Sequence, residues 1–273
     1  QGDGFWLHGG GVAVDGNVAS GCSGHGFIYW TEGLREVGTP FDYQNMFLPR
    51  NVPNGELLGN LELLGSWFVP LRSFRGNTAY SVAKGLALYY VHTTQFDDIT
   101  TLTDAYIATM ESTLKDTTLW NVDRLGIEIQ NSERFTFDGL RLENAAAPDL
   151  IGILPWPTVA GRTVWNDLVV RGFGRGMVAP MQGDVTIRGG EFANAVDFSL
   201  IPPQKDSNEP ASDRDLLIAE VAFPPTGLVP PAERVNFEML AGAALRGELP
   251  LLNPEDAHLL ALIPDRIVAD VDG

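Results

Sequence analysis

Cysteine is almost absent from this chain: Cys22 stands alone among 273 residues. A single thiol excludes an intrachain disulfide framework and any cysteine-based zinc cluster, so the fold must rest on its core. Cys22 itself reads as a small residue packed in a turn or core. Lysine is nearly as scarce, with only Lys84, Lys115 and Lys205. No run approaches the roughly 18 apolar residues of a membrane-spanning helix, and no membrane span is expected. Common catalytic signatures are missing as well. There is no Gly-x-Ser-x-Gly elbow, no His-Glu-x-x-His helix, no phosphate-binding loop and no dinucleotide glycine motif. His8, His25, His92 and His258 are too scattered in sequence to suggest a metal site.

Acid is what the chain has in excess. Its 35 Asp and Glu against 18 Lys and Arg give a net charge of −17. Residues 1–120 carry 12 acids and 6 bases, 121–190 carry 8 and 7, and 191–273 carry 15 and 5. Such a chain repels nucleic acid and anionic membrane surfaces, which are excluded as partners. An acidic polysaccharide meets the same repulsion unless local arginine or a bound cation reverses it. High acidity with little lysine suits a saline or extracellular setting. The length is enough for a large core, and 30 Gly with 18 Pro favour tight turns over long helices. The opening Gln-Gly-Asp-Gly-Phe-Trp-Leu is already strand-like, as in a mature secreted chain or, preferably, a piece of a longer protein.

Several segments share one short grammar. "DGFWLHGGGVAVDGNVASG" (3–21) gives an apolar strand, a glycine turn, a second strand and an asparagine bend. "SFRGNTAYSVAKGLALYYVH" (73–92), "TTLWNVDRLGIEIQNSERFTFDGLRLEN" (117–144) and "RTVWNDLVVRGFGRGMVAPMQGDVTIRGGEFAN" (162–194) repeat it. Trp120-Asn121 and Trp165-Asn166 look like matching places, two turns of a repeat of about 22 residues. Strands this short, joined by one or two turn residues, make poor hairpins. They do form the sides of a coil whose turns stack into parallel sheets, with Val, Ile, Leu and Phe inside, asparagine at bends and glycine at corners. The sequence therefore predicts an all-β chain, a right-handed parallel β-helix or solenoid, over residues 1–200. A β-sandwich or β-propeller is the alternative.

Two insertions interrupt the grammar, at 31–71 and 93–116. Long loops leaving a rigid scaffold are where binding and catalysis concentrate. Residues 201–273 read as a linker, one candidate last rung in "DLLIAEVAFPP", and an acidic C-terminal segment. Within it, 253–264 is a short helix candidate with Asn253 as cap and Pro254 in the first turn. The closing Asp270-x-Asp272-Gly273 has the start of a calcium loop, or is simply an acidic end.

The motifs in the opening third resemble those of one family. Asn17, Ala19, Gly21, Gly24, Gly26 and Phe27, followed by Asn77, Tyr80, Ser81, Gly85 and Leu86, are similar to the β-helix region (PbH1-type repeats) of the G8-domain proteins. These include cell-surface hyaluronidase, the cell-migration-inducing hyaluronan-binding protein and the fibrocystin-like receptors. The resemblance covers roughly residues 1–200. It implies an extracellular or cell-surface β-helix that binds or cleaves glycans, hyaluronan among them. The G8 domain itself and the family's cysteines, apart from Cys22, are missing, as in a microbial relative, and the family's catalytic residues find no match here.

Polysaccharide chemistry on a β-helix takes place in a groove along one sheet. A lyase needs a base beside a uronate carboxylate and a cation to neutralise that carboxylate. His25, Tyr80, Lys84 and His92 flank the insertions and are the candidates, with Arg171, Arg175 and Arg188 to hold acidic sugars. A hydrolase needs two carboxylates a few ångströms apart, for which Asp97, Asp98 and Glu128 qualify. Plainer roles stand beside these: His25 as a solvated corner residue, Lys84 as a surface charge, Asp97-Asp98 as a cap. Tyr29, Trp30, Trp67 and Tyr89 cluster around the insertions, with Trp6 and Tyr90, either as a stacking platform for sugars or as core beneath loops. No cofactor is required by either chemistry; calcium, through Asp270 and Asp272, is the one left open. The expected function is that of an extracellular module that binds or degrades polysaccharide, either a glycoside hydrolase or a polysaccharide lyase if it is an enzyme. The rival is a non-catalytic structural or adhesive module, a stalk, surface-layer or filament subunit, self-associating or attached through a longer chain.

Overall fold

The computed structural model describes residues 2–31, 46–92, 102–155, 162–180, 185–201, 216–239 and 267–270. Asp97, Asp98, Asp272 and the helix candidate at 253–264 lie outside them. The described chain is mostly β, and its one α-helix, α1 (Asp104–Ile107), is a single turn capped by the Thr103 hydroxyl. Four short strands come first: β1 (Phe5–Leu7), β2 (Ala13–Asp15), β3 (Val18–Ser20) and β4 (His25–Trp30). An antiparallel pair, β5 (Met46–Phe47) and β6 (Leu64–Gly65), stands apart from the main sheet. A short strand and then a long one recur three times: β7 (Ser73–Arg75) with β8 (Thr78–Tyr89), β9 (Ser112–Lys115) with β10 (Thr118–Gln130), and β11 (Phe135–Asp138) with β12 (Arg141–Pro155). In β13 (Thr163–Pro180) the two are fused. β14 (Val185–Ala193), β15 (Val196–Ile201), β16 (Leu216–Ala219), β17 (Val235–Met239) and β18 (Ile267–Asp270) complete the order.

All strands but β5 and β6 form one 16-stranded sheet, parallel throughout and curled by about 300° like a half-barrel. The curl follows from strands that bend and so pair in more than one place. β13 pairs β11 near its start, β14 from its start to its middle, β12 in its middle and β15 at its end. Register puts like with like. In one ladder Val14, Phe74, Leu114, Phe137, Trp165, Ile187 and Ile218 lie side by side. In the next, Ala19, Ala79, Leu119, Leu142, Val170 and Phe192 do so. In the third, Phe5, Phe27, Leu86, Ile127, Ile153, Met177, Phe198 and Phe237 are aligned. All point into one core, and of these ladder residues only Phe5 and Phe237 are partly exposed. Each such larger side chain taken from water contributes about 1.5–3 kcal/mol.

Beside the third ladder runs a column that only glycine can occupy. A Cβ on Gly26 would sit 2.8 Å from the Gly85 carbonyl oxygen, one on Gly85 2.6 Å from that of Gly126, and one on Gly126 2.4 Å from that of Gly152. Gly4 and Gly152 continue the series toward Gly26 and Gly176. Each neighbouring strand places its carbonyl where a side chain would begin, so the close approach of backbones selects glycine.

Asparagines serve the bends, as expected, but over a short distance. The Asn17 N–H donates to Asn77 Oδ1 at 2.9 Å, and Asn77 Nδ2 donates to the Val14 carbonyl at 2.6 Å. At the equivalent bends further on stand Thr117 and Leu140, whose carbonyls accept from the next strand as those of Asn17 and Asn77 do. At a second bend Asn194 accepts from the Phe173 N–H and donates to the Val170 carbonyl. The equation of Trp120 with Trp165 fails. Trp120 lies opposite Tyr80 and Glu143 and faces out, whereas Trp165 lies opposite Phe137 and Ile187 and is fully buried. Between these tryptophans the strands bend after unequal lengths, so a fixed period slips out of phase.

The described parts of the two insertions share a small second core: Val52, Leu58, Leu64, Trp67 and Phe68 from the first, Leu102, Tyr106 and Met110 from the second. Among the described residues no helix is long and apolar enough to cross a membrane.

Candidate functional site

The glycine column organises chemistry on the opposite, outward side. The residues just before Gly4, Gly26 and Gly85 are Asp3, His25 and Lys84, and His25 and Lys84 are direct register partners. Asp3 Oδ1 accepts from the His25 backbone N–H at 2.7 Å and meets the ring Nδ1 at 2.9 Å. Burial alone would raise the Asp3 carboxyl, but the His25 hydrogen bonds and charge hold it below the usual range. His25 Nδ1 faces Asp3, and Nε2 is a buried atom with no hydrogen-bond partner among the described residues.

One rung along, Lys84 Nζ is 2.5 Å from Glu128 Oε2, and the Tyr89 hydroxyl donates to that same oxygen. Glu128 projects from β10 opposite Ala87 and is 4% exposed, so this is a nearly buried carboxylate on the outer side of a sheet. Burial first, and then the Glu128 charge and hydrogen bond, push the Tyr89 hydroxyl far up, and it stays protonated at any ordinary pH. The Tyr89 ring takes the His25 ring edge-on at 6.2 Å and the Trp30 ring edge-on at 5.5 Å. Trp30 lies opposite Tyr89 in register and is 37% exposed. Ionisable groups withdrawn from water in this way mark functional sites more often than chance would.

A second outward feature adjoins it on the same strands. Tyr80 of β8 and Trp120 of β10 are register partners with rings stacked at 4.6 Å and 10°. Trp120 is 43% exposed. Glu143 and Arg171 continue that row, with Arg171 paired to Glu191 at 2.5 Å and Arg141 to Glu143 at 3.0 Å.

The structure thus brings together His25, Lys84, Tyr89, Trp30 and Glu128, with Tyr80 four residues before Lys84 on β8. Others fall elsewhere. Tyr29 points inward against Phe74 and is fully buried, so it cannot stack on a sugar. Trp67 belongs to the second core. His92 is buried against Phe135 and shares a hydrogen bond with Ser112, which makes it a core residue rather than a base. Arg175 is held by Glu238 at 3.0 Å, two strands beyond the Lys84–Glu128 pair in the third ladder. Arg188 sits in the first ladder, opposite Asn166 and Ala219. Asp270 ends β18 opposite Ala219. Among the described residues no group of three or more His, Cys, Asp or Glu is placed to hold a metal ion. Sequence reasoning passes over Asp3 and uses Trp120 only as a repeat marker. The signal for Asp3 is nevertheless present: "DGF", "HGF" and "KGL" are one motif at successive turns.

Compared with family models, curated proteins and solved structures, the chain matches none.

Proposed function

We propose that the chain is a right-handed parallel β-helix module of an extracellular or cell-surface protein and that it engages polysaccharide on the outward face of β8 and β10. The observation that carries this reading is the Tyr80–Trp120 pair, two stacked rings on the outer side of a parallel sheet with Tyr80 half-buried and Trp120 exposed. An exposed indole held in place by a stacked neighbour offers apolar area to the face of a pyranose at little entropic cost. In-register parallel ladders and the glycine column support the β-helix. The resemblance to the G8-domain β-helices also implies a glycan as ligand.

The test is affinity electrophoresis through gels containing hyaluronan, chondroitin, pectate, alginate or a neutral glucan, with calcium and with chelator. Wild type is expected to be retarded by at least one gel, and Trp120→Ala to lose about tenfold in affinity there, equivalent to about 1.4 kcal/mol. Unretarded migration in every gel would overturn the reading in favour of the structural or adhesive module.

A further inference from the structure

We propose that the glycan held by this face is a neutral hexopyranose polymer, and that Glu143, beside Trp120, selects it against uronate chains. The inference rests on the glycan-engaging reading and deepens it, because it names the ligand class and a specificity-determining residue. β8, β10 and β12 are consecutive in the sheet, so Tyr80, Trp120 and Glu143 form one outward row. The Tyr80 and Trp120 rings lie 4.6 Å apart and 10° from parallel. That separation is close to the spacing of adjacent strands, about 4.8 Å. The rings are therefore stacked along the row, and Tyr80 covers the face of the indole that looks toward β8. The other face looks toward β12. An indole reaches further from the backbone than a glutamate does, so its outer part stands above Glu143 as the wall of a step. The floor of that step is polar. Arg141 donates to Glu143 at 3.0 Å along β12, and beyond them Arg171 donates to Glu191 at 2.5 Å. These four side chains keep between 29% and 54% of their surface in water, so a ligand can reach them.

Each part of the step suits a neutral sugar. The carbon–hydrogen face of a pyranose lies against the indole. Hydroxyls at the ring edge reach the floor, where carboxylates accept and guanidinium groups donate. Two arginines and two glutamates sum to zero, so the floor offers hydrogen bonds without net charge. A uronate on the same wall would bring its carboxylate over Glu143. Arg141 is already balanced by Glu143 and Arg171 by Glu191, which leaves no cation to neutralise a further carboxylate there. Like charges about 6 Å apart in water lower affinity by about threefold.

The experiment is affinity electrophoresis of the full chain at about 0.15 M salt, where charges beyond about 8 Å are largely screened. The gels contain hydroxyethylcellulose or xyloglucan as neutral polymers, and pectate or hyaluronan as uronate polymers. Wild type is expected to be retarded more by a neutral polymer than by either uronate. Glu143→Gln should raise the ratio of uronate to neutral affinity by about threefold. Glu56→Gln removes the same charge from an exposed position on the first insertion and should leave that ratio unchanged. Circular dichroism checks the fold of both variants, and the preference of the wild type is read without any substitution. Stronger retardation by a uronate polymer would overturn the neutral class and leave the glycan reading standing. A ratio unmoved by Glu143→Gln, or moved equally by Glu56→Gln, would overturn the role of Glu143. Absence of retardation in every gel would remove this inference and the binding reading together.

Discussion

A single histidine sets an acid limit for this fold. His92 is fully buried, and desolvation first, with the Arg134 charge second, lowers its pKa from 6.5 to about 4. Its folded-state value is depressed, so the unfolded chain binds the proton more readily. The stabilisation is complete above the unfolded value of 6.5 and is lost as pH falls toward 4. It amounts to at most about 3–4 kcal/mol, since each tenfold change in proton affinity is worth about 1.4 kcal/mol. Urea unfolding at a series of pH values should show wild-type stability falling through that window. His92→Phe, which keeps a ring against Phe135, should flatten the fall. Equal slopes in both proteins would assign the loss to other groups. The same residue shows why its role is not legible in sequence. "YYVHTT" places His92 at the mouth of an insertion, where a base is expected, and only the tertiary stack on Phe135 makes it core.

At the scale of strands, the expected elements are largely present because period-2 patterning and glycine placement are local. Phe27, Leu86 and Ile127 each follow a glycine and point inward, and that much can be read from "HGF", "KGL" and "LGI". Register is not legible, since it depends on where each strand bends, and the bends here fall at β-bulges between Trp120 and Leu125 and between Glu143 and Ala147. That is why Trp120 and Trp165 look equivalent in sequence, and why Lys84 and Glu128, 44 residues apart, cannot be paired from it. The glycine column gives a test of the observed register. Gly126→Ala would put a methyl 2.4 Å from the Gly152 oxygen and 2.5 Å from Leu142 Cδ2. It should cost about 1–3 kcal/mol or more, since backbone cannot step aside. Gly227→Ala, with nothing within 4 Å, should be close to neutral. Denaturant midpoints of the two variants would decide, and a neutral Gly126→Ala would refute the alignment of β10 with β12.

For the whole molecule the dominant fact is charge, and it bears on the proposed ligand. A net charge of −17 repels a uronate chain at long range, while the Tyr80–Trp120 stack acts only at contact. The excess is concentrated in residues 191–273, with 15 acids and 5 bases, whereas 121–190 carries 8 and 7. Glu128 belongs to the most nearly neutral stretch of the sequence and Trp120 borders it, and the net charge of the whole chain acts over longer distances than ring contact does. Distance is what salt screens: the Debye length is about 30 Å at 0.01 M and about 8 Å at 0.15 M. Raising ionic strength between these limits should remove most of the repulsion and leave the contact with Trp120 intact. Proteins that hold polyanions through basic patches lose affinity over this range. This one is expected to gain it, with retardation in hyaluronan or pectate gels rising as salt rises and retardation in a neutral glucan gel unchanged. A fall in affinity for the uronate glycans would mean that a basic surface makes the contact, and would move the binding face away from Tyr80 and Trp120.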